Sequence, residues 1–147
     1  MNDSAAASHY EKLERMYLSA EANRYYAPTI HIERSFCEIA LEVRSDFFHS
    51  AGAIHGSVCF KLLDDSAFFA ASSLDTRNLL VTTQFSIHFV RPVNRGIVRA
   101  KGSVVYRTQR ITVAEAKAFD YKDRLVATGS GSFIPSQSTL SDRVGYV

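Results

Sequence analysis

Between Tyr10 and Tyr26 the positions Tyr10, Leu13, Met16, Tyr17 and Ala20 recur every three or four residues with charges between them. That is the spacing of one face of an amphipathic helix, which Pro28 should end. From Thr29 to Val43 the period changes to two, with Ile30 and Ile32 first and then Cys37, Ile39, Leu41 and Val43 opposite Glu38, Glu42 and Arg44. The shift of phase near Arg34–Phe36 predicts either two strands or one bent strand.

After a loop from Arg44 to Ile54, the segment His55–Ser73 is rich in Ala, Leu and Phe, lacks proline, has glycine only at its start, and is apolar on nearly every face. A helix of that kind is expected to be buried. Four segments follow: Leu79–Val90, Gly96–Arg107, Ile111–Tyr121 and Arg124–Ile134. They are rich in Val, Ile, Thr, Tyr and Phe, are separated by turn residues, and predict four strands. The polar stretch from Pro135 is expected to be loosely held. One long buried helix and a meander of antiparallel strands pack if the sheet curls around the helix. The expected class is α+β, a hotdog fold in which a curved antiparallel sheet wraps a long central helix. Its expected parts are a helical segment over residues 1–28, one domain over 29–134 and a tail over 135–147.

Composition narrows the partners. In 147 residues, 46% hydrophobic, there are 17 basic and 15 acidic side chains, enough apolar mass for one domain with its own core. The arginines are scattered and no zinc-finger, homeodomain or RNP-type signature is present, so no nucleic-acid partner is expected. Cys37 and Cys59 stand apart within apolar segments, without a C-x-x-C partner, as buried reduced thiols do. The polar start Met1–Ala7 lacks the pattern of a signal peptide, and no apolar run approaches the ~18 residues of a membrane span. A cytoplasmic protein without membrane partners is the expectation. No spacing of His, Cys, Asp or Glu suggests a metal, and no cofactor is implied.

The run His49-Ser-Ala-Gly52-Ala-Ile-His55-Gly56-Ser57, with Asp64 nine residues after His55, resembles the N-x-x-G-x-x-H-G-G…D pattern of the PaaI-type branch of hotdog acyl-CoA thioesterases, relatives of the 4-hydroxybenzoyl-CoA thioesterases. Thr82–Pro92 resembles that family's strand before a glycine-containing turn, and Ala127–Phe133 is similar to its last strand. The resemblance implies an acyl-CoA thioesterase with active sites at a dimer interface. His49 stands where the family commonly has Asn, and Ser57 where it has a second Gly. A histidine supplies one donor there but titrates near neutral pH, while Ser57 keeps the backbone N–H to which the family assigns a role. Thr82 falls where some relatives carry a hydroxyl that helps place water.

The chemistry leads to the same residues. Thioester hydrolysis needs a group that activates water or attacks directly, and a donor for the oxygen that becomes negative. The start of a buried helix offers unpaired N–H groups and partial positive charge, and Gly52, Gly56 and Ser57 let a substrate approach. Asp64 and Asp65 fall mid-helix, where burying a carboxylate is costly. Yet His55 and Asp64 are separated by about 13.5 Å along the axis and half a turn, at ~1.5 Å and ~100° per residue. Two antiparallel helices across a twofold axis would bring one chain's helix start to the other's Asp64. Taken with the register that the resemblance implies, the catalytic candidates are Asp64, as base or nucleophile, His49 and Ser57. Gly56, His55, Thr82, Arg91 and Arg95 are candidates for substrate binding, in a homodimer or homotetramer. Asp65 is expected to be structural, and His55 either to shape the entry to the helix or to touch substrate. Arg91, Arg95, Arg107 and Arg110 are turn cations that could hold phosphates or simply be solvated. Two competing functions remain: a non-catalytic acyl-CoA sensor, which would tolerate the departures at His49 and Ser57, and a dehydratase or hydratase, whose proline-rich helix entry is missing.

Overall fold

The computed structural model describes residues 3–147. Helix α1 (Asp3–Ser19) and helix α2 (Glu21–Tyr26) replace the single expected helix. The break is Ala20, whose φ of −63° and ψ of 133° are extended. Two side chains serve the last carbonyls of α1: Ser19 Oγ donates to Met16 O at 3.1 Å, and Asn23 Nδ2 donates at 2.6 Å to Tyr17 O, which also accepts from Ala20 N–H. Strands β1 (Thr29–Glu33) and β2 (Phe36–Glu42) form a hairpin, so the phase shift marks two strands. Ser35 turns the corner at a φ of 62° and donates its N–H to Ser73 Oγ.

The expected central helix is α3 (Gly56–Ser72), and the four expected strands are β3 (Asn78–Phe89), β4 (Ile97–Arg107), β5 (Thr112–Phe119) and β6 (Leu125–Thr139). All pairings are antiparallel in the order β1-β2-β4-β5-β6-β3, which leaves β1 and β3 as the edges. Helix α3 lies across β2, β4 and β5 and reaches β3 and β6. Its backbone comes so close to β4 that a Cβ on Gly102 would stand 2.2 Å from Ser66 O, which only glycine allows. Leu62, Leu63, Ala67 and Ala70 fill the space between helix and sheet with Ile39, Leu41, Val98 and Val126. Cys37 and Cys59 are buried and unpaired.

Two expectations are corrected. The chain beyond Pro135 is not loose: β6 continues to Thr139 paired with β3, and the last residues dock on α1. The His9 ring bonds Tyr146 Oη at 2.7 Å and Ser72 O at 3.1 Å, and Arg15 Nε donates to Val147 O at 2.6 Å. Polar composition concealed these long-range partners. Helix α3 is also not covered all round. Ser57, Phe60, Lys61, Asp64 and Phe68 form an uncovered or half-covered stripe beside edge strand β3, so Asp64 and Asp65 are half-buried rather than buried.

Candidate active site

The loop into α3 is closed by its own backbone. His49 N–H donates to Ala53 O, Gly52 N–H to His49 O at a Gly52 φ of +78°, and Phe48 bridges Ile54. The His49 ring folds back, its Nδ1 accepting from Ala51 N–H at 3.1 Å, which leaves Nε2 to carry the ring proton. At the helix start His55 is the N-cap. Its Nδ1 lies 3.0 Å from Ser57 N and 2.8 Å from Ser57 Oγ. The Ser57 amide, expected to serve an oxyanion, is therefore already engaged by this cap. The Gly56 N–H has no hydrogen-bond partner among the described residues.

A cleft of about 430 Å³ opens at this helix start, lined by His49, Gly56, Cys59, Phe89, Arg91 and Val93 among others. Phe89 lies directly over Gly56, where a Cβ would come within 3.1 Å of its ring, so the absence of a side chain keeps this floor open. Cys59 offers no nucleophile, because burial pushes its thiol up to about 11. Pro92 and Val93 also border a polar groove that holds Arg95, Asp120, Tyr121, Lys122 and Arg124. Arg95 stacks on the Tyr121 ring and donates to its hydroxyl. The four turn arginines do not form one cluster: Arg91 and Arg95 flank the start of β4, while Arg107 and Arg110 lie at its far end, ~34 Å away at ~3.4 Å per residue.

Asp64 belongs to a second cleft of about 390 Å³, between α3, β3 and the N-terminal helices. Thr82 Oγ1 donates to Asp64 Oδ1 at 3.0 Å. A register shift between Thr82 and Gln84 marks a bulge in β3 beside this contact. Burial raises the Asp64 pKa above its ordinary value; the Thr82 hydrogen bond opposes this, the neighbouring Asp65 charge adds to it, and Lys61 opposes it. Asp65 is differently placed: Tyr17 Oη donates to its Oδ2 at 3.0 Å, and Lys61 Nζ pairs with the same oxygen. Neither Lys61 nor Tyr17 stands out in the sequence as a site residue. The i,i+4 spacing of Lys61 and Asp65 was an available signal, whereas nothing in sequence linked Tyr17 to Asp65 across 48 residues.

The structure thus brings His49, Gly56 and Arg91 to one cleft, and Asp64 and Thr82 to another. His55 and Ser57 bond each other at the helix start, and Arg95 lies in the neighbouring groove. Within one chain Gly56 and Asp64 stay eight residues apart on a straight run of helix, ~12 Å. Among the described residues no group of three or more His, Cys, Asp or Glu could hold a metal, and no helix is long and apolar enough to cross a membrane.

A six-stranded antiparallel sheet curled on one long helix is the hotdog fold. The sequence profile of the Thioesterase superfamily matches residues 51–127, over half of the chain, and the chain belongs to that superfamily of thioester hydrolases. An esterase-named protein of Saccharolobus solfataricus is 23% identical over 111 residues, covering 76% of this chain and 74% of that protein. One from Sulfurisphaera tokodaii is 27% identical over 100 residues, covering 68% and 74%. The structure of the E. coli PaaI protein, from the phenylacetic acid degradation operon, matches with a TM-score of 0.84 at 18% identity over 92% of this chain and 99% of that one. The Haemophilus influenzae thioesterase HI1161 matches with a TM-score of 0.76 at 20% identity, covering 85% and 88%. The fold is that of the PaaI type.

Proposed function

We propose that this protein hydrolyses an acyl-CoA thioester, with each active site built from two copies of the chain. The observation that carries this is the split site: the open helix start and the Asp64–Thr82 pair occupy separate clefts of one chain. Between them lies an uncovered face. Phe60, Val81, Phe89 and Val90 are 39%, 41%, 56% and 54% exposed, on α3 and on the edge strand β3 and its end. A bare edge strand beside exposed apolar side chains is the surface a second copy would cover. Pairing there sets one chain's Gly56 beside the other's Asp64.

In that arrangement Asp64 takes a proton from water, and the resulting hydroxide attacks the thioester carbonyl carbon. The carbonyl oxygen takes up the negative charge and is held by the Gly56 N–H and the positive end of α3. The intermediate collapses with loss of the thiolate, which recovers the proton from Asp64. A carboxylate whose pKa is raised by burial is a stronger base near neutral pH than an ordinary one. Attack by Asp64 itself, with loss of the thiolate to leave a mixed anhydride that water then hydrolyses, uses the same placement, and ¹⁸O from labelled water in the Asp64 carboxylate after a single turnover would mark it. His49 lines the helix-start cleft, with Nε2–H free to donate. Arg91 and Arg95, at the mouth of that cleft and in the adjoining groove, supply charge for the phosphates of coenzyme A. The buried thiols of Cys37 and Cys59 suit a reducing compartment such as the cytoplasm.

The test is thiol release from a panel of aliphatic and aromatic acyl-CoAs, repeated with Asp64→Asn. Turnover that falls at least a hundredfold in the variant supports the assignment, and unchanged turnover overturns it. Tight acyl-CoA binding by calorimetry without thiol release would instead make the protein a binding module.

A further inference from the structure

The cleft that holds Asp64 is lined in part by pieces of the chain outside the helix-and-sheet domain: Met16 of α1, Ala20 at the helix break, Ala22 of α2, and Val144 near the end of the chain. Facing them are Phe68 of α3 and Leu79 of β3. We infer that this wall selects the acyl group, limiting the substrate to compact apolar acyl chains whose far end abuts Met16, Ala20, Ala22 and Val144. The inference rests on the proposed acyl-CoA hydrolysis and concerns the acyl half of that same site.

The wall is a built structure, not a chance covering. Extended backbone at Ala20 turns α2 away from the α1 axis at the edge of the cleft, and both positions next to the turn that line it are alanine. Larger side chains at 20 or 22 would enter the space. The tail is locked from several directions. Ser72 O can only accept, so His9 Nε2 carries the proton and Nδ1 accepts from the Tyr146 hydroxyl. Burial foremost lowers the His9 pKa, in keeping with a neutral ring. Gly145, at a φ of +80°, brings the tail so close to α1 that a Cβ there would stand 2.6 Å from Ser19 Oγ and 3.5 Å from Met16 Cα. Val144 is therefore held at a set distance from Met16. The wall is also tied to the reacting end, since Tyr17, one residue after Met16, bonds Asp65 beside Asp64.

The test measures kcat and KM of the full chain for straight-chain acyl-CoAs of increasing length, in the wild type, Ala22→Leu, Val144→Ala and a control on the exposed face of β5, Lys117→Ala. The expected result is that Ala22→Leu lowers kcat/KM at least tenfold for the longest acyl chain the wild type accepts, relative to the shortest, chiefly through KM. Val144→Ala should move the same ratio the other way by severalfold, and Lys117→Ala should leave it unchanged. Identical length profiles in all four proteins would overturn the inference. Asp64→Asn is run alongside: if it abolishes turnover while the length profiles coincide, only the wall fails. If Asp64→Asn retains turnover, or the wild type cleaves no acyl-CoA, the proposed function fails and takes this inference with it.

Discussion

Two aspartates show how one chain saturates a carboxylate with donors in one place and leaves it short of them in another. Asp120, in the turn between β5 and β6, is buried and accepts from Lys122 N–H, Arg124 N–H and Arg124 Nε at 2.9, 3.0 and 2.8 Å. Its burial alone would raise its pKa, but these donors and the Arg124 charge outweigh that and hold it down at about 2. Asp64 is half-covered by the helix and strand around it and receives one hydroxyl hydrogen bond, from Thr82. There burial wins and its pKa rises. A carboxylate saturated with donors has no reason to take a proton from water, and one short of donors does.

The comparison breaks most directly at Asp64. Asp64→Asn should cut turnover at least a hundredfold, as measured by thiol release, without lowering the melting temperature at pH 7. The sign follows from linkage: a carboxyl whose folded pKa is raised costs stability at every pH where it is ionised, and the amide removes that cost. A clear fall in melting temperature would show Asp64 to be structural, like Asp120. The converse change, Asp120→Asn, should lower the melting temperature at pH 7 and leave turnover at 25 °C near that of the wild type. Because the folded pKa of Asp120 is depressed, its contribution is complete above the ordinary carboxylate value of ~3.9 and is lost as pH falls towards about 2. Acid unfolding followed by circular dichroism should therefore differ between wild type and variant above that window and converge within it.

Substitutions at the neighbours of Asp64 should have smaller effects. Thr82→Val removes the hydrogen bond that partly offsets burial, so the acid limb of the kcat/KM profile should move to higher pH. The loss of about 1 kcal/mol of interaction corresponds to a roughly fivefold change in rate. Thr82→Ser should keep the wild-type profile. Lys61→Met should shift the acid limb in the same direction by less, because Lys61 acts on Asp64 through charge while bonded to Asp65. His55→Ala removes the cap that Ser57 N–H uses and should cost about 1 kcal/mol of stability by denaturant unfolding.

What could be read from the sequence was the local part. Alternation marked β1 and β2 without deciding between two strands and one bent one, and local composition with turn residues placed α3, β3, β4 and β5 within two residues, while β6 was ended at Ile134 although it runs on to Thr139. The helix-entry run located the cleft residues His49 and Gly56; the burial cost of a mid-helix carboxylate pointed to Asp64 and Asp65 together, and only the register of the resemblance chose Asp64. What remained hidden depended on partners far apart in sequence: the docking of Tyr146 on His9, the Tyr17 bond to Asp65, and the use of Asn23 to close the end of α1. The half-burial of Asp64 was missed for a related reason. Composition shows how apolar α3 is, but not which of its faces the sheet leaves bare.

Whether the helix start of one chain works with Asp64 of another is decided by complementation. Asp64→Asn and Gly56→Val, the latter filling the floor beneath Phe89, should each be inactive alone. Co-expressed with distinct affinity tags, they should form mixed dimers in which one of the two sites has an intact helix start and an intact Asp64, so that random pairing recovers about a quarter of wild-type turnover. Mixed dimers that form and release no thiol would contradict the shared site.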